Sequence, residues 1–364
     1  MDVEGFMNQK SGTLSGAVLC SGAILAKYLI IMPEFIIKHS GNAAWLDTII
    51  KSIIFLISFA IVLKLYKPFA PNSFDSLFIY STKAGKIFFN YFYAIAFIVY
   101  NAGLLRVLVE ALGTVMANTA PDEYFALFII SAIFVSALYG VRSTTNLTLV
   151  FFPVILVTLT LVIIFLFPYL RTQNIMPIFG KSTNEFIKAS ALRNYGFMEI
   201  ILLFFFSHHY PSYKEIKKSG FIIVGVVSLI SVIILGVYCL CIPYPASEKF
   251  FLPLYQMTRM IKASSFLERL EPLVVFIWTG LILCSMSALT TLSSRLFAFS
   301  DNAREKGFVP IVVFLTFFTA MLPDNEISAL RFYEILLDYS YILFPVLPII
   351  IVSAARIRTR RKTV

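Results

Sequence analysis

Long apolar runs follow one another along almost the whole chain, and the first of them, residues 13–37, already has the length of a membrane span. About 20 apolar residues at a rise of 1.5 Å cross the roughly 30 Å hydrocarbon layer of a bilayer. Charged residues make up 14% of the chain, whereas soluble domains carry about 25%. The pattern predicts one all-α, polytopic membrane domain over residues 1–364 rather than two or three soluble domains.

Hydropathy divides the chain into about ten spans. They cover residues 13–37, 45–66, 88–116, 124–141, 146–170, 191–210, 221–242, 270–292, 308–322 and 335–355, and are called the first to the tenth span below. The sixth span is short and is interrupted near Tyr195 and Gly196. The connection over residues 243–266 mixes charged and apolar residues, which is typical of an amphipathic helix.

Basic residues are concentrated in the short loops on one side of the predicted bundle and in the tail, residues 356–364. The positive-inside rule therefore predicts that both chain ends lie in the cytoplasm, which agrees with an even number of spans. It also accounts for the net charge of +10 without nucleic acid as a partner. We interpret the tail as part of this orientation signal, with contact to anionic lipid as the alternative.

Lys27 lies in the middle of the first span. A charge at that depth costs roughly 2.5–3.5 kcal/mol on insertion scales, so it requires a partner or a wet cavity. We therefore predict a polar pocket at mid-membrane around Lys27. The alternative is an ion pair with a purely structural role.

Ten spans divide into two sets of five, residues 13–170 and 191–355. Many secondary transporters consist of two inverted five-span repeats whose first and sixth spans are discontinuous at mid-membrane, as in the LeuT-like fold. Gly22 and Pro33 flank Lys27 in the first span, and Gly196 lies in the sixth. The spacing is consistent with such a fold, although glycine and proline are common in membrane helices generally.

A series of short motifs along the chain carries a family resemblance. They are LIIMPEF at residues 29–35, GNAAW at 41–45, Arg106 and Glu110 ahead of NTAP at 118–121, YG at 139–140, NIMP at 174–177, GFME at 196–199, and FLERL at 266–270 followed by Trp278. In order and spacing they resemble the spore germination permease family, the B subunits of nutrient germinant receptors, within the amino acid–polyamine–organocation superfamily.

The resemblance implies a ten-span transporter-like fold in the inner membrane of the spore. It also implies a small germinant, expected to be an amino acid, and a complex with an A subunit and a lipoprotein C subunit in the lipid bilayer. The expected function is binding of the germinant in a mid-membrane pocket and signalling through the partner subunits. Two alternatives stay open: an amino-acid permease that works by alternating access, and a ligand-gated conduit for water or ions.

One departure from the family pattern concerns the first span. Relatives have glycines just before the LxLP element, whereas this chain reads LAKYL at residues 25–29. The missing glycines argue against a widely unwound break there, and the ammonium argues against a bound sodium ion, whose place it could occupy. We hypothesise that Lys27 is an internal cation, paired with Glu199 or Glu110 or facing a ligand carboxylate.

The candidate ligand-binding residues lie at the two predicted breaks or are polar and aromatic residues that could face them. They are Gly22, Ala26, Lys27, Tyr28, Asn101, Tyr195, Gly196, Phe197, Glu199 and Ser285. Simple packing is the alternative for the aromatic residues, and a hydrogen bond between helices is the alternative for Ser285. Four further residues are interpreted as structural or coupling charges, namely Arg106, Glu110, Glu268 and Arg269, the first two as an ion pair one helical turn apart.

Catalysis finds no support in the sequence, which lacks the hydrolase, zinc-protease and nucleotide-binding motifs. Neither a metal nor a cofactor is expected. Cys239 and Cys241 form a CxC pair without the other ligands of a metal site. His208 and His209 are neighbours in a helix and so do not face one point.

Overall fold

The computed structural model describes residues 13–80, 82–116, 121–180, 182–193, 196–261 and 270–362. Within these ranges the secondary structure is helical and no strand occurs. Seven helical segments of the described chain are long and apolar enough to cross a membrane. The predicted all-α membrane fold is thereby confirmed.

The helices follow the predicted spans, with ends that differ by several residues. In chain order, the first five spans are Thr13–Ile30 with Met32–Ser40, Ala44–Tyr66, Lys83–Met116, Asp122–Leu138 and Gly140–Leu166. The next five are Thr183–Leu192 with Ile201–Phe205, Tyr213–Cys241, Leu270–Phe297, Asn302–Ala320 and Glu326–Tyr341 with Leu347–Lys362. A shorter helix, Pro253–Arg259, lies in the connection that was predicted to be amphipathic.

The fourth, sixth and ninth predicted spans are not among the seven long apolar segments. A different feature accounts for each of them. The fourth has a helix of 17 residues, the sixth is broken, and the ninth begins with the charged residues Arg304, Glu305 and Lys306. The division into two inverted five-span repeats stays a prediction.

The first, third and eighth spans form the interior of the bundle. In each of them 78% of the most apolar window is buried, against 33–39% in the second, fifth, seventh and tenth spans. The eighth span packs against the first, third and fifth, and the seventh packs against the first and second. A charged residue on the first span therefore meets other spans rather than lipid.

The first span bends at a single residue. Ile31 leaves helical geometry with φ −124° and ψ −27°, yet its N–H still bonds to the carbonyl of Lys27 at 3.0 Å. Pro33 follows in the first turn of the next helix, where its ring and missing N–H interrupt the regular ladder. The break is narrow, as the absence of glycines in this segment predicted.

The sixth span is interrupted more widely. Its first helix ends at Leu192, and helical structure resumes in a 3₁₀ turn, Met198–Ile200, which continues into Ile201–Phe205. The predicted interruption near Gly196 is present. The predicted start at residue 191 was wrong, because the helix begins at Thr183 within a segment whose polar composition indicated a connection.

The basic tail continues the helix of the tenth span to Lys362. Arg356 donates from Nε to the carbonyl of Leu65 at 2.7 Å and from Nη2 to that of Lys64 at 2.6 Å. These carbonyls belong to the last turn of the second span, where unpaired acceptors favour a cation. At least one arginine of the tail thus has an intramolecular role.

Candidate functional site

A buried carboxylate lies at the centre of the bundle. Glu199 Oε2 is 2.5 Å from Lys27 Nζ, and Glu199 Oε1 accepts a hydrogen bond from the Tyr100 hydroxyl at 2.6 Å. Lys27 also donates to the Tyr100 oxygen at 3.0 Å. The side chains of Lys27 and Glu199 are 1% and 0% exposed, so the three groups form a closed triangle without contact to solvent.

The two interruptions explain why this triangle can form. Lys27 lies one turn before the bend at Ile31, and Glu199 lies in the 3₁₀ turn that follows the break of the sixth span. Tyr100 comes from the middle of the third span, and Tyr333 of the tenth donates to the Tyr100 oxygen at 3.4 Å. Four spans therefore meet at one ion pair.

The charges of the triangle compensate one another. Removal of a single ion from water costs several kcal/mol in a protein interior, and a close counter-charge with further hydrogen bonds offsets that cost. Glu199 receives hydrogen bonds on both oxygens, and Lys27 uses two of its three N–H donors on Glu199 and Tyr100. The pair is stable as long as the spans keep it together.

An aromatic wall borders the break of the sixth span. The ring of Phe197 stacks on that of Phe55 with centroids 4.2 Å apart and an interplanar angle of 8°. The Tyr28 ring is tilted by 46° against that of Phe197, with centroids 6.0 Å apart. Gly196 has φ +119°, and a Cβ there would lie 2.6 Å from the Tyr28 oxygen. Glycine at 196 is thus required by both the backbone angle and the tyrosine.

Several predicted ligand-binding residues lie in contacts between helices. Gly22 allows the close approach of the fifth span, because a Cβ there would lie 2.6 Å from the Thr148 methyl group. Asn101 donates to the Met286 carbonyl of the eighth span at 3.0 Å. Ala26 and Ser285 are buried, and the Ser285 hydroxyl has no hydrogen-bond partner among the described residues. Their role in ligand binding stays a prediction.

Of the four predicted structural or coupling charges, the structure describes Arg106 and Glu110. Arg106 Nη2 lies 2.7 Å from Glu110 and 3.1 Å from Asp122, so the pair on the third span also holds the start of the fourth. Tyr195, Glu268 and Arg269 lie outside the described residues. Their roles stay predictions.

Sequence reasoning missed Tyr100 and Tyr333. The helix face of Tyr93 and Phe97 did not single out Tyr100, because Tyr100 at i+7 and Asn101 at i+8 both continue it. The prediction chose the neighbouring amide, Asn101, instead. Tyr333 was missed because it lies two residues before the predicted start of the tenth span at residue 335, whereas the helix begins at Glu326.

A second ionic cluster, also missed, lies beyond the two breaks. Glu334 of the tenth span is 2.7 Å from His39 Nε2 and 3.0 Å from Arg193 Nη1, and Arg193 is 3.9 Å from Asp338. His39 belongs to the second helix of the first span, and Arg193 directly follows the first helix of the sixth. The cluster therefore joins the first, sixth and tenth spans on the side of the Lys27–Glu199 pair where His39 lies.

A cavity of about 210 Å³ lies on the other side of the pair, towards the beginning of the first span. Its lining includes Gly16, Cys20, Thr145, Leu203 and Tyr210. Cys20 precedes Lys27 by two helical turns on the same face, and Leu203 follows Glu199 by one turn. The cavity therefore lies between the Lys27–Glu199 pair and the end of the bundle at which the first helix begins, Thr13.

Replacement of Tyr100 by phenylalanine tests the third corner of the triangle. The change removes hydrogen bonds to both charged groups, each worth about 1.5–3 kcal/mol, so we expect the apparent melting temperature of the purified protein to fall by several degrees. Tyr333→Phe is the matched control, because it removes one long hydrogen bond to Tyr100. Equal melting temperatures for both variants would contradict the importance of the Tyr100 hydroxyl.

Long apolar helices, two interrupted spans and a buried ion pair between them define a multi-pass, all-α membrane protein with an enclosed polar centre. The chain belongs to the spore germination protein family, whose model matches residues 13–329. It is 24% identical to spore germination protein XB of Bacillus anthracis over 318 residues, which cover 85% of this chain and 87% of the relative. It is 20% identical to spore germination protein B2 of Bacillus subtilis (strain 168) over 342 residues, 91% of each chain. The family predicted from the sequence motifs is confirmed.

Proposed function

We propose that the chain is the transporter-like membrane subunit of a spore nutrient germinant receptor and that it binds an amino acid at the Lys27–Glu199 pair. The observation that carries the proposal is a pair of opposite charges, 2.5 Å apart and fully buried, between the two interrupted spans. Membership in the spore germination protein family supports the role in germination. In this proposal the protein lies in the inner membrane of the spore with both chain ends in the cytoplasm.

An amino acid carries both charges of the pair. Its carboxylate can take the place of Glu199 beside Lys27, and its ammonium can take the place of Lys27 beside Glu199. Separation of the pair without a ligand leaves two uncompensated buried charges, each costing several kcal/mol. With a zwitterion between them both charges stay paired, so the ligand stabilises the separated arrangement over the closed one.

This difference in affinity is what signalling requires, because a ligand shifts an equilibrium only as far as it binds one state better. A shift from 1:99 to 99:1 takes about 5.5 kcal/mol, which is comparable to the cost of the two uncompensated charges. The spans that would move carry Lys27, Tyr100, Glu199 and Tyr333. We propose that the A subunit and the lipoprotein C subunit receive that movement.

The test is a screen of the purified chain in lipid nanodiscs against the twenty amino acids by thermal shift. At least one of them should raise the melting temperature. For that amino acid, the carboxamide and the N-acetyl derivative are the matched controls, since each lacks one of the two charges and should give no shift. No shift with any amino acid, or equal shifts with both derivatives, would contradict binding at the ion pair.

A permease that works by alternating access is the second candidate, because the interrupted first and sixth spans are typical of secondary transporters. Uptake of the radiolabelled amino acid into proteoliposomes that contain this chain alone would favour the permease. Binding without net uptake would favour the receptor.

A further inference from the structure

The cavity of about 210 Å³ lies where three parts of the chain meet. These are the beginning of the first span, the junction of the fourth and fifth spans, and the end of the sixth span. Pockets for drug-sized ligands measure roughly 300–1,000 Å³, so this cavity has room for a smaller molecule. We propose that it binds a small organic anion, in which a carboxylate or phosphate is joined to a short apolar body.

The cavity is open on the side of the junction between the fourth and fifth spans. Tyr139 in its lining is 74% exposed. Next to it, no other part of the described chain lies within 4 Å of the position that a Cβ of Gly140 would take. A small molecule can therefore enter here without a rearrangement of the bundle, whereas the Lys27–Glu199 pair is closed. In the proposed orientation, this mouth lies on the cytoplasmic side.

The mouth carries the charge of the cavity. Arg142 is partly exposed, and it is the only lysine or arginine among the described lining residues, which include no aspartate or glutamate. His209 is also partly exposed and lines the cavity from the end of the sixth span. A guanidinium group presents a planar fork of N–H donors that matches a carboxylate or a phosphate. The mouth therefore favours an anion over a cation.

The walls of the cavity away from its mouth are largely apolar. Four side chains that are at most 6% exposed form them, namely Leu19, Leu202, Leu203 and Phe206. The hydroxyl of Thr145 in the lining already donates to the Val141 carbonyl at 2.8 Å. Ordered water in a cavity needs two to four polar partners, whereas a hydrocarbon group is stabilised by apolar walls. This part of the cavity therefore suits an apolar body better than water.

A bound anion would contact both spans that carry the central ion pair. Cys20 precedes Lys27 by two helical turns, Leu203 follows Glu199 by one turn, and both line the cavity. The apolar body would lie between these two spans and the fifth, and it would hold them in the closed arrangement. The amino acid is proposed to separate Lys27 from Glu199, so the anion should lower its affinity, and the amino acid should lower that of the anion by the same factor. This coupling, unlike the site itself, rests on the proposed function.

The test uses hexanoate as the probe and the full chain in nanodiscs of zwitterionic lipid. By isothermal titration, Arg142→Gln should raise the Kd for hexanoate at least about tenfold, because a hydrogen-bonded ion pair is lost. Arg142→Lys should recover part of that loss. Arg304→Gln is the matched control, since Arg304 is 78% exposed and pairs with Asp301, and it should leave the Kd unchanged. Hexanol, which lacks the charge, and acetate, which lacks the body, should each bind at least about tenfold more weakly.

Equal Kd values for the parent chain and Arg142→Gln, or for hexanoate and hexanol, would overturn the site. The same titration in nanodiscs with phosphatidylglycerol identifies the source of the anion: a raised apparent Kd for hexanoate assigns the site to a lipid headgroup, and an unchanged Kd assigns it to a soluble anion. Hexanoate that binds without changing the Kd of the amino acid would overturn the coupling. Failure of every amino acid to bind the parent chain counts against the proposed function and not against the cavity.

Discussion

Lys27→Met is expected to lower the free energy of unfolding by about 3–5 kcal/mol, because the Glu199 carboxylate stays buried and loses its counter-charge. Glu199→Gln should cost a similar amount, since it leaves the ammonium unpaired. The double variant should recover most of the loss, because methionine and glutamine leave no uncompensated charge in the bundle. Thermal unfolding of the purified proteins, followed by size-exclusion chromatography, measures all three changes.

Lys38→Met is the control for the loss of a lysine as such. Lys38 is 55% exposed and 3.8 Å from Glu334, an arrangement worth about 0–1 kcal/mol. If the two single effects simply add in the Lys27→Met, Glu199→Gln double variant, the groups do not act as one pair. That outcome would contradict the electrostatic account of the site.

Gly196→Ala is expected to destabilise the protein by about 2–5 kcal/mol, as the sum of two causes. A residue with a Cβ at φ +119° is strained by about 1–3 kcal/mol. Its Cβ would also lie 2.6 Å from the Tyr28 oxygen, and relief of such overpacking typically costs 1–3 kcal/mol. The measurements are the melting temperature and the amount of protein in the membrane.

A second substitution separates these two causes. Tyr28→Phe removes the oxygen that meets the new Cβ, so Gly196→Ala should cost less in that background, while the backbone strain remains. Gly113→Ala is the control, because Gly113 lies in a regular helix with nothing within 4 Å of its Cβ position. Equal melting temperatures for Gly113→Ala and Gly196→Ala would show that the break has no special backbone requirement.

The sequence predicts the parts of this molecule that depend on the cost of burying polar groups. A charge in hydrocarbon is costly, so the position of Lys27 in the first span predicts that the bundle provides a partner for it. Glu199 was one of the two partner residues proposed. Gly196 was predicted at an interruption, where the structure has it. The long apolar runs predict most spans, because backbone groups within lipid must bond within one helix.

Other features depend on which way each helix faces, and hydropathy does not determine that. The third span is buried on most sides, so no polar face indicates whether Tyr100 or Asn101 points to the centre. The structure directs Tyr100 to Glu199 and Asn101 to the eighth span. The helix Thr183–Leu192 was missed because it is short and polar, and it is supported by packing against the first and second spans.

The most direct test of the account is the affinity of the Lys27→Met, Glu199→Gln double variant for the amino acid that stabilises the parent chain in the thermal-shift screen. The variant is expected to fold, so its binding can be compared with that of the parent protein by isothermal titration in the same nanodiscs. Loss of both charges should raise the Kd by about 1000-fold, since each of the two buried charge contacts is worth about 2 kcal/mol or more. An unchanged Kd would contradict the account and leave the pair with a structural role.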